Sequence, residues 1–159
     1  MHLITYHSKH TGFTLIELMI TITVLAIILM IGSSLTRSWI DQSQVNNAVS
    51  ALQEAVTQTK AIAIRNTHNT TLQVASASLC IYGSTIQIIH GSCPSIESNT
   101  ALQTFSLSEG ISIKENANEL RCMDFNYIGV IVPGSTCSTT ATPTLIVGKN
   151  NESAEITIR

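Results

Sequence analysis

Charge is scarce in this chain. Only 11% of its 159 residues are charged, and the formal net charge is −2. That balance excludes a global basic footprint for nucleic acid. Cysteine is missing from the first half, and proline is missing from residues 13–65, so nothing there forces a helix to break. No CxxC pair suggests a zinc site. There is no Gly-rich phosphate loop and no G-x-S-x-G nucleophile elbow. Three of the five histidines, His2, His7 and His10, fall in the first ten residues. The other two, His68 and His90, are too few to hold a metal without carboxylate help. The sequence therefore offers no catalytic set and no cofactor site, and it reads as a non-enzyme.

What is present is one concentrated apolar run. The mean hydropathy of +0.28 is high for a soluble domain, and part of the excess sits in residues 13–31, FTLIELMITITVLAIILMI. As a helix this segment would extend about 28 Å, close to a bilayer's hydrocarbon thickness. The preceding residues carry Lys9 and no acid, which predicts a cytoplasmic N-terminus and an exported C-terminus. A secretory signal peptide would have a shorter apolar stretch and a small-x-small cleavage site, to which Ile31-Gly32-Ser33-Ser34 is a poor fit. A plain anchor leaves Glu17 unexplained. A carboxylate inside such a run costs several kcal/mol unless it is paired or interfacial, so it marks function.

The string Lys9-His10-Thr11-Gly12-Phe13-Thr14-Leu15-Ile16-Glu17 resembles the leader junction of type IV prepilins and type II secretion pseudopilins. The resemblance implies cleavage between Gly12 and Phe13 by the prepilin peptidase and N-methylation of Phe13. It also implies passage from the bacterial inner membrane, with the head in the periplasm, into a pilus or pseudopilus. The chemistry is consistent with this. Gly12 has no side chain, so a protease can approach its backbone closely. Cleavage would create an amine at Phe13 that Glu17 of a neighbouring subunit could neutralise in an apolar filament core. Such a pair would also set axial register. The alternative is an unpaired interfacial carboxylate held by the helix dipole.

Beyond the run, Val45, Ala48, Val49, Leu52, Ala55, Val56, Thr59, Ile62 and Ala63 recur three and four apart. This predicts one helix from Phe13 to Arg65, apolar all round in its first half and amphipathic in its second. Gly32 is either a bend or a tolerated mid-helix glycine. From Thr70 the period falls to two. Candidate strands are Thr71–Ala75, Leu79–Tyr82, Ile86–His90, Gln103–Leu107, Ile111–Glu115, Met123–Tyr127, Val130–Val132, Thr144–Val147 and Glu155–Ile158. The predicted class is α+β: a long N-terminal helix, membrane-spanning in its first half, packed on an antiparallel β-sheet head. The predicted divisions are a removed leader (1–12), a transmembrane or filament-core helix (13–34), an amphipathic helix (35–66) and a globular head (67–159). Together with the leader, these elements resemble the type IV pilin fold.

Asp124-Phe125, Gly129, the closing hairpin and the Ala61-x-x-x-Arg65-Asn66 helix ending resemble the heads of GspH/FimT-type minor pilins and pseudopilins. This implies a low-abundance structural subunit that helps initiate a pilus at or near its tip. An H-type pseudopilin of the type II secretion system is the alternative. The implied partners are other minor and major pilins, the prepilin peptidase, the inner-membrane assembly platform and, before assembly, membrane lipid. Some relatives bind DNA in natural transformation, with basic residues in and near the last hairpin turn. Here that region offers Lys149 and Arg159 and lacks the Gly-Arg-x-Arg pattern of the DNA-binding members. Residues 66–159 hold four Lys/Arg against seven Asp/Glu, which opposes a phosphate-binding face. Four cysteines in an exported segment predict disulfides. Cys80–Cys93 with Cys122–Cys137 is favoured because each pair closes a local loop, though three pairings are open.

Overall fold

The structure, a computed structural model, describes residues 13–65, 71–94, 100–134 and 137–159, excluding the side chains of 31–35. One helix, α1 (Leu15–Arg65), runs through Gly32 without interruption, so no local melting occurs there. The chain divides into two units, Met1–Arg37 and Ser38–Arg159. In the first, every large apolar side chain described is exposed, from Phe13 to Met30.

In the second unit the helical stripe buries Val45, Ala48, Leu52, Ala55, Val56, Thr59 and Ala63, while Val49 and Ile62 pack at its margin. Thr59 is fully buried because its hydroxyl donates to the Ala55 carbonyl at 2.7 Å, one turn back. Among the described residues eight strands follow: β1 (Ala77–Tyr82), β2 (Thr85–His90), β3 (Gln103–Ser106), β4 (Ser112–Glu115), β5 (Asn118–Glu119), β6 (Cys122–Phe125), β7 (Thr144–Lys149) and β8 (Glu152–Thr157). They form two four-stranded sheets, ordered β3-β2-β1-β6 and β5-β4-β7-β8, and every pairing is antiparallel. Leu79, Ile86, Met123 and Phe125 of the first sheet and Leu145 and Val147 of the second join the helical stripe in one core. The fold is α+β, a helix packed on antiparallel sheets, consistent with the type IV pilin fold.

Two expected strands are absent. Thr71–Ala75 is a turn, closed by the Val74 N–H on the Thr71 carbonyl at 3.2 Å, and pairing begins only at Ala77. Val130–Val132 contributes a single bridge, Ile131 to Phe125. Asn126 explains this. Its side-chain oxygen accepts from the N–H groups of Ile128 and Val130, at 3.2 and 3.0 Å, which curls the chain into a tight loop. Pro133, with no N–H to donate, then ends the pairing. The two-residue β5 is an element that periodicity did not predict. It pairs with β4 through a turn in which Asn116 and Ala117 both have positive φ, 48° and 70°. The final hairpin turns on Asn150-Asn151 alone, with Gly148 and Lys149 still in β7.

Candidate functional site

The N-terminal helix begins at a defined cap. Thr14 precedes the first helical residue, and its hydroxyl oxygen accepts the Glu17 N–H at 3.3 Å. Its carbonyl accepts the Leu18 N–H at 3.2 Å, the first bond of the helix. Thr14-Leu15-Ile16-Glu17 therefore has the S/T-x-x-E spacing of a capping box. Sequence reading treated Thr14 only as part of a motif, although that spacing ahead of an apolar run was the available signal. The Glu17 carboxylate lies in the first turn, where unpaired backbone N–H groups favour negative charge. Helix formation thus supports Glu17 before any partner arrives.

The remaining surface of this segment is prepared for apolar surroundings. Leu15, Ile16, Leu18, Met19, Ile20, Ile22, Val24 and Leu25 lie on all sides of the helix and are exposed. The Thr21 and Thr23 hydroxyls donate to the carbonyls of Leu18 and Ile20, each at 2.8 Å. Those donors are satisfied within the helix, which removes the main cost of burying them. No helix among the described residues is long and apolar enough to cross a membrane. Gly12, Lys9 and the rest of the leader lie outside the described residues, as does the side chain of Ile31.

Residues 7–33 match the prokaryotic N-terminal methylation motif. This is a type IV pilin-like signal. The matched span contains the Gly12-Phe13 junction, the Thr14 cap and Glu17. Comparison with curated proteins and with solved structures finds no match.

The head carries both local disulfides. Cys80 joins Cys93 with a Cα–Cα distance of 5.8 Å, and Cys122 joins Cys137 at 4.5 Å. Cys80 and Cys122 also face each other across the β1–β6 ladder, yet each bonds a loop cysteine. The bonds therefore tie two loops to adjacent strands.

The two basic candidates are not brought together. The Lys149 amine donates to Gln44 Oε1 and to the Glu109 carbonyl, both at 2.6 Å, near the start of the unit's helix. Arg159 lies at the other end, where its carbonyl accepts from Lys60. His90 is exposed, and His68 lies outside the described residues. Among the described residues, no group of three or more His, Cys, Asp or Glu side chains could hold a metal ion.

Two carboxylates have roles that the linear pattern did not reveal. Glu115 is buried, and its oxygens accept from the Ser138 hydroxyl (3.0 Å), the Thr139 N–H (3.0 Å) and the Thr140 hydroxyl (2.9 Å). It pins the loop that follows Cys137. Asp124 meets the Ser78 hydroxyl, which also reaches the Gly91 carbonyl. Burial raises the Asp124 pKa above its ordinary value, against the lowering effect of the Ser78 hydrogen bond.

Proposed function

We propose that this chain is a structural subunit of a type IV pilus, of the low-abundance kind that helps initiate assembly at or near the tip. The carrying observation is the capped helix start. A lone carboxylate sits in the first turn of an apolar, solvent-exposed helix, directly after the junction that the methylation motif spans. Cleavage between Gly12 and Phe13 releases an amine five residues from that carboxylate, counting both ends, and methylation keeps that amine positive. Within one helix the two charges sit at the same terminus, so a neighbouring subunit's Phe13 amine is the better-placed partner for Glu17. Pairing removes two uncompensated charges from the apolar interior of a filament.

Before assembly the apolar segment rests in the inner membrane with the head in the periplasm. The prepilin peptidase and the assembly platform act on it there, and other minor and major pilins surround it afterwards. The same motif serves a type II secretion pseudopilin, and the machine is distinguished by the subunits recovered with the chain. The separation of Lys149 from Arg159 disfavours DNA uptake as the head's role.

Mass spectrometry of the mature N-terminus tests the processing. The expected species begins at N-methylated Phe13, and any other start overturns the assignment. Glu17→Ala is expected to leave cleavage intact and to reduce incorporation into filaments at least ten-fold. Normal incorporation would remove the proposed pairing.

A further inference from the structure

The cysteines of β1 and β6 share one face of a sheet. Ala77, Leu79, Met123 and Phe125 of these strands join the core. Ser78, Cys80, Cys122 and Asp124 alternate with them and so point to the other face. The Ser78 hydroxyl meets Asp124 there, as the register Ser78↔Asp124 requires. Cys80 and Cys122 are the next opposed pair on that face. Their two backbones do not bond each other. The Cys122 carbonyl turns away from β1 and accepts from the Ser138 N–H at 2.9 Å, while Ile81, one residue on, donates its N–H to the Arg121 carbonyl at 2.8 Å. Opposed residues of this kind stand about 4.5 Å apart at Cα, with their side chains closer than in the alternate pairs. A disulfide spans about 4.4–6.8 Å at Cα. The two strand sulfurs are therefore within bonding reach of each other, although each is bonded elsewhere.

Access differs between the strand and loop sulfurs. Cys80 and Cys122 are buried, whereas Cys93 and Cys137 are half-buried. Cys93 and Cys122 also line an open cavity of about 1040 Å³, together with Tyr82, Pro94, Ile111 and Arg121 among others. A dissolved thiol can therefore approach Cys93 from the cavity. All four cysteines are bonded, so exchange has to be started by a thiol from outside.

We propose that Cys93 is a thiol-exchange site for a dithiol reductant, and that opening it passes a disulfide from the loops to the strands. A thiolate of the dithiol attacks the Cys93 sulfur and breaks the Cys80–Cys93 bond, which leaves Cys80 as a thiolate. The Cys80 thiolate attacks the Cys122 sulfur. The Cys80–Cys122 bond forms, and Cys137 leaves as a thiolate. The second thiol of the reductant then attacks the reductant sulfur bonded to Cys93, releases the Cys93 thiolate and closes the reductant's own disulfide. Two electrons enter the head, and the dithiol's two protons end on Cys93 and Cys137. Two disulfides become one disulfide and two thiols. The head stays folded in the product, because other contacts hold both loops. The Tyr82 hydroxyl donates to the Pro94 carbonyl at 2.7 Å, and Glu115 holds Ser138, Thr139 and Thr140. The reduced head thus presents two half-buried thiols above a cross-strand bond. This chemistry uses the head alone and does not depend on processing of the leader.

Partial reduction tests it. The full chain in detergent micelles is treated with limiting dithiothreitol, quenched with acid and alkylated in denaturant, and its peptides are mapped by mass spectrometry. In the species with two free thiols, alkylation at Cys93 and Cys137 is expected to exceed that at Cys80 and Cys122 roughly ten-fold, because the adjacent strand sulfur captures Cys80 before dissolved thiol does. A two-thiol species alkylated at Cys80 and Cys93, or at Cys122 and Cys137, would overturn the proposal. So would passage straight to four free thiols. Cys93→Ser gives a second measurement that needs no reductant. Its single free thiol is expected at Cys137, with Cys80 bonded to Cys122. A free thiol at Cys80 beside an intact Cys122–Cys137 bond would show that the strand sulfurs do not exchange.

Discussion

Ala117 is an unfavourable residue choice for its turn. Its φ of 70° lies in the left-handed region, where an L side chain crowds the following carbonyl, at a cost of about 1–2 kcal/mol. The β4–β5 turn demands positive φ at both central positions. Asn116 tolerates this and Ala117 does not. Ala117 is exposed, so nothing is lost with its methyl group. Ala117→Gly is expected to stabilise the head by about 1 kcal/mol, read as a higher midpoint of denaturant unfolding with an unchanged slope. Asp124 predicts a pH dependence. Its native pKa is raised, so the protonated form is favoured in the fold. The stability it contributes is fully present below the unfolded value of 3.8 and is lost as pH rises through the raised native value. In the protonated state Asp124 donates to Ser78, and Ser78 is free to donate to the Gly91 carbonyl. Asp124→Asn keeps a donor there. It is expected to flatten this part of the stability profile and to be at least as stable as the parent at pH 7. Denaturant melts at pH 3, 5 and 7 check it.

At the scale of elements, the loop after β6 depends on two attachments. One is the Cys122–Cys137 bond, and the other is the set of three hydrogen bonds on Glu115. Removing Cys122–Cys137 by paired serine substitution is expected to cost about 3 kcal/mol by the chain-entropy argument. Glu115→Ala strands buried donors and is expected to cost about 2–4 kcal/mol. Both attachments hold the same loop, so the combined loss should fall short of the sum, which a double-mutant cycle of thermal melts measures. The amphipathic half of α1 was legible in advance because helical spacing forces its apolar residues onto one face. The strands were less legible. In β1, Ala77, Ser78, Leu79 and Cys80 are all buried, so the alternation that marks a half-covered strand is missing. In β8 one face meets the core, and burial alternates along its length. Thr71–Ala75 had the composition of a strand but lacked a neighbour to pair with.

For the whole molecule, the division at Ser38 has a measurable consequence. The core cluster lies entirely within Ser38–Arg159. A chain beginning at Ser38 is therefore expected to unfold cooperatively, within a few degrees of the full chain's melting temperature, as followed by circular dichroism. Non-cooperative melting would mean that the first unit supports the head. The roles of the units divide in the same way. The first carries the methylation motif and a helix whose apolar surface has no cover in the monomer. The second is self-sufficient in packing.

The N-terminal site was decided by sequence alone. Glu17 and the apolar run lie within a few helical turns, next in sequence to the Gly12-Phe13 junction, and they are legible from local spacing. Thr14 even caps the helix from within the same string. The head was decided by tertiary structure. Glu115 and Ser138 are 23 residues apart, and Cys80 and Cys122 face each other from different strands. What brings such residues together, or holds them apart, is the register of paired strands and the packing of two sheets on one helix. Periodicity reports which face of an element is buried. It carries no information about which distant element covers that face.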